Sequence, residues 1–347
     1  MKVSSLLIPA IIIAASSLVP WAQGGCSVGG CGGGEESWTA SAQAFINSDV
    51  PLVGATGNQN SNGYGSGSFQ AGQPVGKAVN KTVNSTVSTS DALVREAYVA
   101  TGSRAGSFPA PAMLKSLDAI SEKDVVVDVS NHRSPDASHI RGSVNIPSKS
   151  FFYENGTLRS ISDLVEILGK GGISQDDAVM VYSDSFGSGE ATAALWALRY
   201  LGHDDVRALD GGLDNWIAAS LPLETKENVR PPVSYAARPR VELLADFDFI
   251  KTGQAQMVDA RSFQDYGKSR IGNATFISPE NLLEEGRLEA GAVLKDTFAR
   301  LNTSGTVVVY SDDIYGASVV WFALQLMGFD ARIYTWQDWQ AHEEVEI

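Results

Sequence analysis

Residues 307–324, VVVYSDDIYGASVVWFAL, read as an apolar strand, a short loop and the start of a helix, and residues 178–200, AVMVYSDSFGSGEATAALWALRY, repeat the pattern. A loop in that place can hold a nucleophile at a helix N-terminus, where free amides and the helix dipole stabilise an anion. The residues that follow the strand-ending tyrosines Tyr182 and Tyr310 are Ser183 and Ser311. A serine hydroxyl is far too weak an acid to ionise unaided at neutral pH, so it needs a neighbouring base. Of the four histidines, His132 follows a strand pattern, His139 lies in SHIRGSVNIP, His203 sits in a helix-ending turn and His342 is near the C-terminus, so none sits in either of these two loops. The loops instead carry carboxylates, Asp184 and Glu190 in one and Asp312 and Asp313 in the other. Carboxylates beside a nest of donors oppose an oxyanion. Ser183, Asp184, Ser311 and Asp312 are therefore expected to cap the helices that follow.

Sulfur chemistry could come only from Cys26 and Cys31, the two cysteines of the chain, both in GGCSVGGCGGG. They follow MKVSSLLIPAIIIAASSLVPWAQ, one lysine and an apolar stretch interrupted by Pro9 and Pro20, which reads as an export signal rather than a retained membrane span. Three readings of Cys26 stand side by side. It resembles the lipid-acceptor cysteine of bacterial lipoproteins, with Gly24 and Gly25 as the small residues before it and Gln23 as a departure from the usual aliphatic residue. Cleavage after Gly24 would instead leave two free thiols or a small disulfide ring. A metal or haem site is disfavoured, because no histidine follows Cys31 and no second pair exists. Lipidation is the favoured reading, and no cofactor or metal is expected.

The elements that must position these residues repeat. DVVVDVSNHR (124–133) matches AQMVDARSFQDY (255–266), and SHIRGSVNIP (138–147) matches KSRIGNATFIS (268–278). The spacing between matched residues drifts only from 131 (Asp128 to Asp259) through 128 (Ser183 to Ser311) to 123 (Trp216 to Trp339). Two copies of one domain follow from that. Continuous β-branched runs bounded by turns suit strands buried on both faces, and the helical patterns between them suit parallel crossovers. ATAALWALRYLG and SVVWFALQLMG read as amphipathic helices ended by Gly202 and Gly328. ENVRPPVSYAARP (227–239) is proline-interrupted and links the copies. From Gly32 to Arg104 the chain is rich in Gly, Ser, Asn and Thr without a sustained period, apart from DALVREAY, a candidate short helix, and it reads as a tether.

VVVDVS, SHIRGSVNIP, VYSDSFGSG leading into LGHDDV, and LDGGLDNW, in that order and found twice, resemble the rhodanese (thiosulfate sulfurtransferase) domain over roughly residues 105–347. The pair resembles the two-domain members of that family. The resemblance implies an α/β fold of two tandem rhodanese-like domains, each a small parallel sheet flanked by helices. It also implies a persulfide-forming cysteine directly after the strand-ending tyrosine, where this chain has Ser183 and Ser311. Asp128 and Asp259 match the family's chain-turning aspartate, and His139 its structural histidine. Trp216 and Trp339 are expected in the core. With Ser183, Asp184, Gly187, Ser311, Asp312 and Gly316 as the loop positions, both sites read as degenerate.

The expected organisation is a signal peptide at 1–25, a tether at 26–104 and rhodanese-like domains at 105–228 and 229–347. With 26 basic against 40 acidic residues and no basic cluster, nucleic acid is not expected as a partner. The chain is expected to be an exported, lipid-anchored, catalytically silent protein at the outer membrane, acting as an accessory subunit of an envelope complex such as an electron-transfer conduit. Two alternatives are a binding protein for a sulfur or selenium compound and a sulfurtransferase that uses Cys26 or Cys31.

Overall fold

The computed structural model describes residues 101–132 and 137–343; Cys26, Cys31, the export segment, most of the Gly/Ser-rich stretch and its DALVREAY segment lie outside them. The first repeat supplies β1 (Leu114–Lys115), β2 (Asp124–Asp128), β3 (His139–Ile140), β4 (Val144–Asn145), β5 (Ala178–Tyr182), β6 (Val206–Leu209) and β7 (Leu223–Glu224). The second supplies β8 (Gln256–Asp259), β9 (Thr275–Phe276), β10 (Leu283–Glu284), β11 (Arg287–Leu288), β12 (Val307–Ser311) and β13 (Ala331–Thr335). Helices α1 (Ile161–Lys170), α2 (Glu190–Tyr200) and α3 (Leu213–Ala218) belong to the first repeat. Helices α4 (Phe247–Lys251), α5 (Phe263–Lys268), α6 (Gly291–Thr297), α7 (Ile314–Leu326) and α8 (Trp336–Glu343) belong to the second.

Each repeat builds a parallel sheet, in the order β1-β6-β5-β2-β4 and then β13-β12-β8-β9. The β-branched runs sit where expected: all of β12 is buried, as are the last four residues of β5, because helices cover both faces of each sheet. Leu244 bridges Ile333 in parallel and stands in for β1 at the edge of the second sheet. The β10–β11 hairpin of the second repeat has a reduced counterpart in the first, a single antiparallel bridge between Phe152 and Leu158.

Helices α2 and α7 depart from the amphipathic expectation, since Ala191 to Leu198 are all buried and α7 is apolar almost all round. The reason is the junction between the repeats. Each helix packs its own sheet on one side and the other helix on the opposite side, so neither has a face left for water. Thr192 Oγ1 and Ser318 Oγ meet at 2.7 Å there, and Phe186 lies against Phe322 with ring centroids 5.9 Å apart. Gly189, at φ 73°, lets the chain pass so close that a Cβ would lie 2.6 Å from the Tyr315 carbonyl oxygen. Thr192 and Ser318 hold equivalent places in the two repeats, so the junction is self-complementary about an approximate two-fold axis.

The aspartates, histidines and tryptophans singled out in the sequence make structural contacts. Asp128 turns the chain by accepting from the Ser130 amide and hydroxyl at 3.0 and 2.7 Å. Asp259 does so through Arg261, whose amide, Nε and Nη2 reach it at 3.0, 3.0 and 2.7 Å, and it also accepts from the Tyr310 hydroxyl at 2.8 Å. The Arg261 guanidinium lies 3.7 Å above the Trp336 ring, so Trp336 holds the core position and the expected Trp339 is only half-buried. Trp216 is buried as expected and donates to the Pro222 carbonyl at 3.0 Å. His139 bridges Ser143 and the Lys226 carbonyl. His203 bridges the Asp177 carbonyl (2.8 Å) and the Tyr235 hydroxyl (3.2 Å), which pins the proline-interrupted linker to the first repeat.

Three measurements check this frame. Replacing Arg261 by Gln leaves Asp259 buried with its charge uncompensated, and is expected to cost about 3–5 kcal/mol in urea unfolding. Lys170→Ala breaks an exposed pair with Glu166 and should cost under about 0.5 kcal/mol. Burial holds His203 below the ordinary histidine value of 6.5, so the unfolded chain takes up the proton first as pH falls. Its contribution is full above 6.5 and is lost as pH falls from there towards the folded value. The urea midpoint should drop between about pH 7.5 and about pH 5.5, and the drop should shrink in His203→Gln.

Candidate functional site

The two loops that follow Tyr182 and Tyr310 are built differently. Between Ser183 and the first residue of α2 stand residues 184–189, whereas only Asp312 and Asp313 separate Ser311 from α7. In the longer loop Ser183 is fully buried, donates to the Ser185 carbonyl at 3.0 Å and accepts from the Ser188 hydroxyl at 3.2 Å. The Ser183 and Asp184 carbonyls accept from the Leu213 and Asp214 amides at the start of α3. Phe186 fills the loop from below, and Leu283 of β10 stands over Gly187, where a Cβ would come within 3.1 Å of its Cδ1. Ser183 is thus held inside the loop by hydrogen bonds, while Asp184, Gly187 and Ser188 are exposed at its surface.

The shorter loop lies beside open space. Ser311 is nearly buried, faces the Ala260 carbonyl at 3.5 Å, and opens onto a cavity of only about 10 Å³ behind Ile314 and Gln337. Ile314 and Gln337 also line two larger cavities of about 620 Å³ each, to both of which the 149–161 segment of the first repeat contributes a wall. Arg159 lines both cavities, and Lys149 lines one. The helix cap is neither Ser311 nor Asp312 but Asp313, whose Oδ1 accepts from the Gly316 amide at 2.8 Å. Ser183 and Asp184 do not cap α2 either; its N-cap is Gly189. Gly316 has room for a Cβ at 3.4 Å from Ser311 Oγ.

The electrostatics soften the expected repulsion of anions. Burial pushes the Asp312 carboxyl above the ordinary aspartate value, with Arg261 acting against it, and burial likewise raises Glu190. A carboxyl nearer its neutral form repels an oxyanion less. Arg261 itself is not available to a ligand, being locked on Asp259 and Trp336. Among the described residues no cluster of His, Cys, Asp or Glu could hold a metal ion, and no helix is long and apolar enough to cross a membrane.

A scan against family models matches the rhodanese-like domain twice, at residues 113–219 and 248–342, more than half of the chain. The protein belongs to the rhodanese-like domain family. The chain is 27% identical over 234 residues to the thiosulfate sulfurtransferase of Corynebacterium glutamicum, covering 59% of this chain and 77% of that protein. It is 30% identical over 168 residues to the sulfur carrier protein TtuD of Thermus thermophilus, covering 46% of this chain and 56% of that one. Among solved structures, the 3-mercaptopyruvate sulfurtransferase SseA of Escherichia coli superposes with a TM-score of 0.54 at 21% identity, over 61% of this chain and 92% of that one, which supports the shared fold. These relatives overturn the expectation of a catalytically silent accessory subunit of an envelope complex, because they are named for moving sulfur.

Of the positions singled out from the sequence, Ser311, Asp312 and Gly316 gather at the shorter loop beside the cleft, while Ser183, Asp184 and Gly187 lie in the longer loop; Cys26 is outside the described residues. Sequence reasoning missed Arg159, which lies in an unremarkable turn, ENGTLRS, and reaches the cleft only through the folding of one repeat against the other. It also missed the Arg261–Trp336 contact, whose only signal is that a second tryptophan precedes Trp339 by three residues. The difference between the loops is testable in a chain lacking Cys26 and Cys31. Ser311→Cys should react with iodoacetamide at least ~10-fold faster than Ser183→Cys, read by mass spectrometry of the labelled peptides.

Proposed function

We propose that this rhodanese-like protein transfers sulfane sulfur and that the thiol receiving it is Cys31 or Cys26. The observation that carries the reading is the likeness over 234 residues to a thiosulfate sulfurtransferase. The chemistry needs a thiolate, which attacks the outer sulfur of thiosulfate. The bond from that sulfur to the sulfonate sulfur breaks, sulfite leaves with the electron pair, and a persulfide remains. A nucleophile such as cyanide then takes the outer sulfur as thiocyanate and releases the thiolate. Serine cannot form the persulfide, and residues 32–347 contain no cysteine, so the carrier must come from the pair in GGCSVGGCGGG.

In this reading the body binds the donor. Arg159 and Lys149 supply positive charge to the cleft beside Ser311. Export, and lipidation of Cys26, belong to the same proposal; acylation of Cys26 would leave Cys31 as the free thiol. A second reading, binding of a sulfur or selenium compound without turnover, is favoured by the serines that stand at both loop positions.

The full chain is expected to form thiocyanate from thiosulfate and cyanide, and to gain the mass of one sulfur atom on the peptide holding Cys31 when cyanide is withheld. Turnover should vanish in the Cys26→Ala/Cys31→Ala double variant. Undiminished turnover in that variant would overturn the assignment of the thiol. No turnover in the native chain, together with thermal stabilisation by thiosulfate or selenite, would replace transfer with binding.

A further inference from the structure

The cavity lined by Trp196 and Tyr200 is a separate compartment of the cleft between the repeats. Its walls are largely apolar: Leu158, Leu244 and Ile333 line it, together with the Trp196–Tyr200 pair, stacked at 5.8 Å. At about 620 Å³ it has the size of a small-molecule site. Arg159 stands at its mouth, where it meets the neighbouring cavity that holds Lys149, Asp312 and Asp313.

Arg159 is the unusual member of the set. Its Nε is buried and has no acceptor among the described residues, and no carboxylate there pairs with its guanidinium. Other arginines of the described residues are engaged: Arg104 with Asp210, Arg230 with Asp177, Arg240 with Asp204 and Arg261 with Asp259. The one contact that orients Arg159 is the Tyr153 ring, 4.8 Å from its Cζ. A half-buried guanidinium without an acceptor has lost water and gained nothing in return, a cost that an anionic ligand would remove. Among the described residues that line this compartment the one carboxylate is Asp338, which lies 3.7 Å from His342 Nδ1 on its own helix.

An anion with no body would satisfy Arg159 but leave the apolar walls wet, and an apolar ligand without charge would leave the guanidinium unpaired. We propose that this compartment binds an aromatic organic anion, its ring against the half-buried Tyr200, Leu158 and Leu244, with the buried Trp196 behind Tyr200, and its carboxylate or sulfonate on Arg159. Sulfur transfer is not a premise of the proposal, because occupancy is read without turnover.

The probe is p-toluenesulfonate, titrated calorimetrically into the full chain, with methanesulfonate as the head without the ring and p-toluenesulfonamide as the ring without the charge. The arylsulfonate should bind at least ~10-fold more tightly than either. Arg159→Gln should weaken it about tenfold, with Arg159→Lys intermediate because it keeps the charge and loses the fork. Tyr200→Ala, which touches only this compartment, should weaken it too, and Lys149→Ala, which touches only its neighbour, should not. Among the described residues Arg159 makes no side-chain hydrogen bond or ion pair and its variants lose only the exposed Tyr153 ring contact, so cooperative thermal unfolding near the native midpoint is the folding control. Equal affinity for methanesulfonate, no effect of Arg159→Gln, or a loss on Lys149→Ala alone would each overturn the assignment.

Discussion

The contact on which the rest of this structure depends is the burial of α2 and α7 against each other. Each helix is apolar around nearly its whole circumference, so neither could face water if the repeats came apart. The junction is closed by small groups, Gly189 under Tyr315 and Thr192 against Ser318, because only small groups allow helix starts to approach so closely. Both helices begin at the loops where a family nucleophile would stand. Packing the helices therefore also fixes where the two loops sit relative to the other repeat.

The approximate symmetry of that junction is broken at the loops, and the asymmetry decides which one lies beside a cleft. The first loop is longer, wraps Phe186 into the core and lies under the β10–β11 hairpin. The second is short, and the hairpin that should cover it is reduced to the single bridge between Phe152 and Leu158. The space left over becomes the cleft. The duplicated strand-loop-helix unit thus carries a long loop covered in part by a hairpin and a short loop beside a cleft.

Placed in the rhodanese-like family, the chain presents a physical separation of tasks: a body with a cleft and an unpaired cation but no thiol among residues 32–347, and two thiols elsewhere in the sequence. The carboxyls beside the open loop looked hostile to anions when read as charges in a line. In the folded protein burial shifts Asp312 towards its neutral form, and Asp313 turns its oxygen to the helix amides. Charge counted from sequence and charge felt in the cleft are different quantities, because burial penalises the ionised form.

The sequence by itself determined the duplication, the parallel sheets and the turn glycines, since these rest on local pattern: β-branched runs suit strands covered on both faces, and Gly202 and Gly328 adopt the positive φ that ends a helix. It also determined the chemistry that the loops cannot perform, because Ser183 and Ser311 are legible as side chains whatever the fold. Only the tertiary structure decided that α2 and α7 are buried all round rather than amphipathic, that Asp313 and not Asp312 caps, that Trp336 rather than Trp339 covers Arg261, and that Arg159 faces a cavity. Each of these depends on what a distant segment brings to the other side of a residue, and periodicity along one chain holds no record of that.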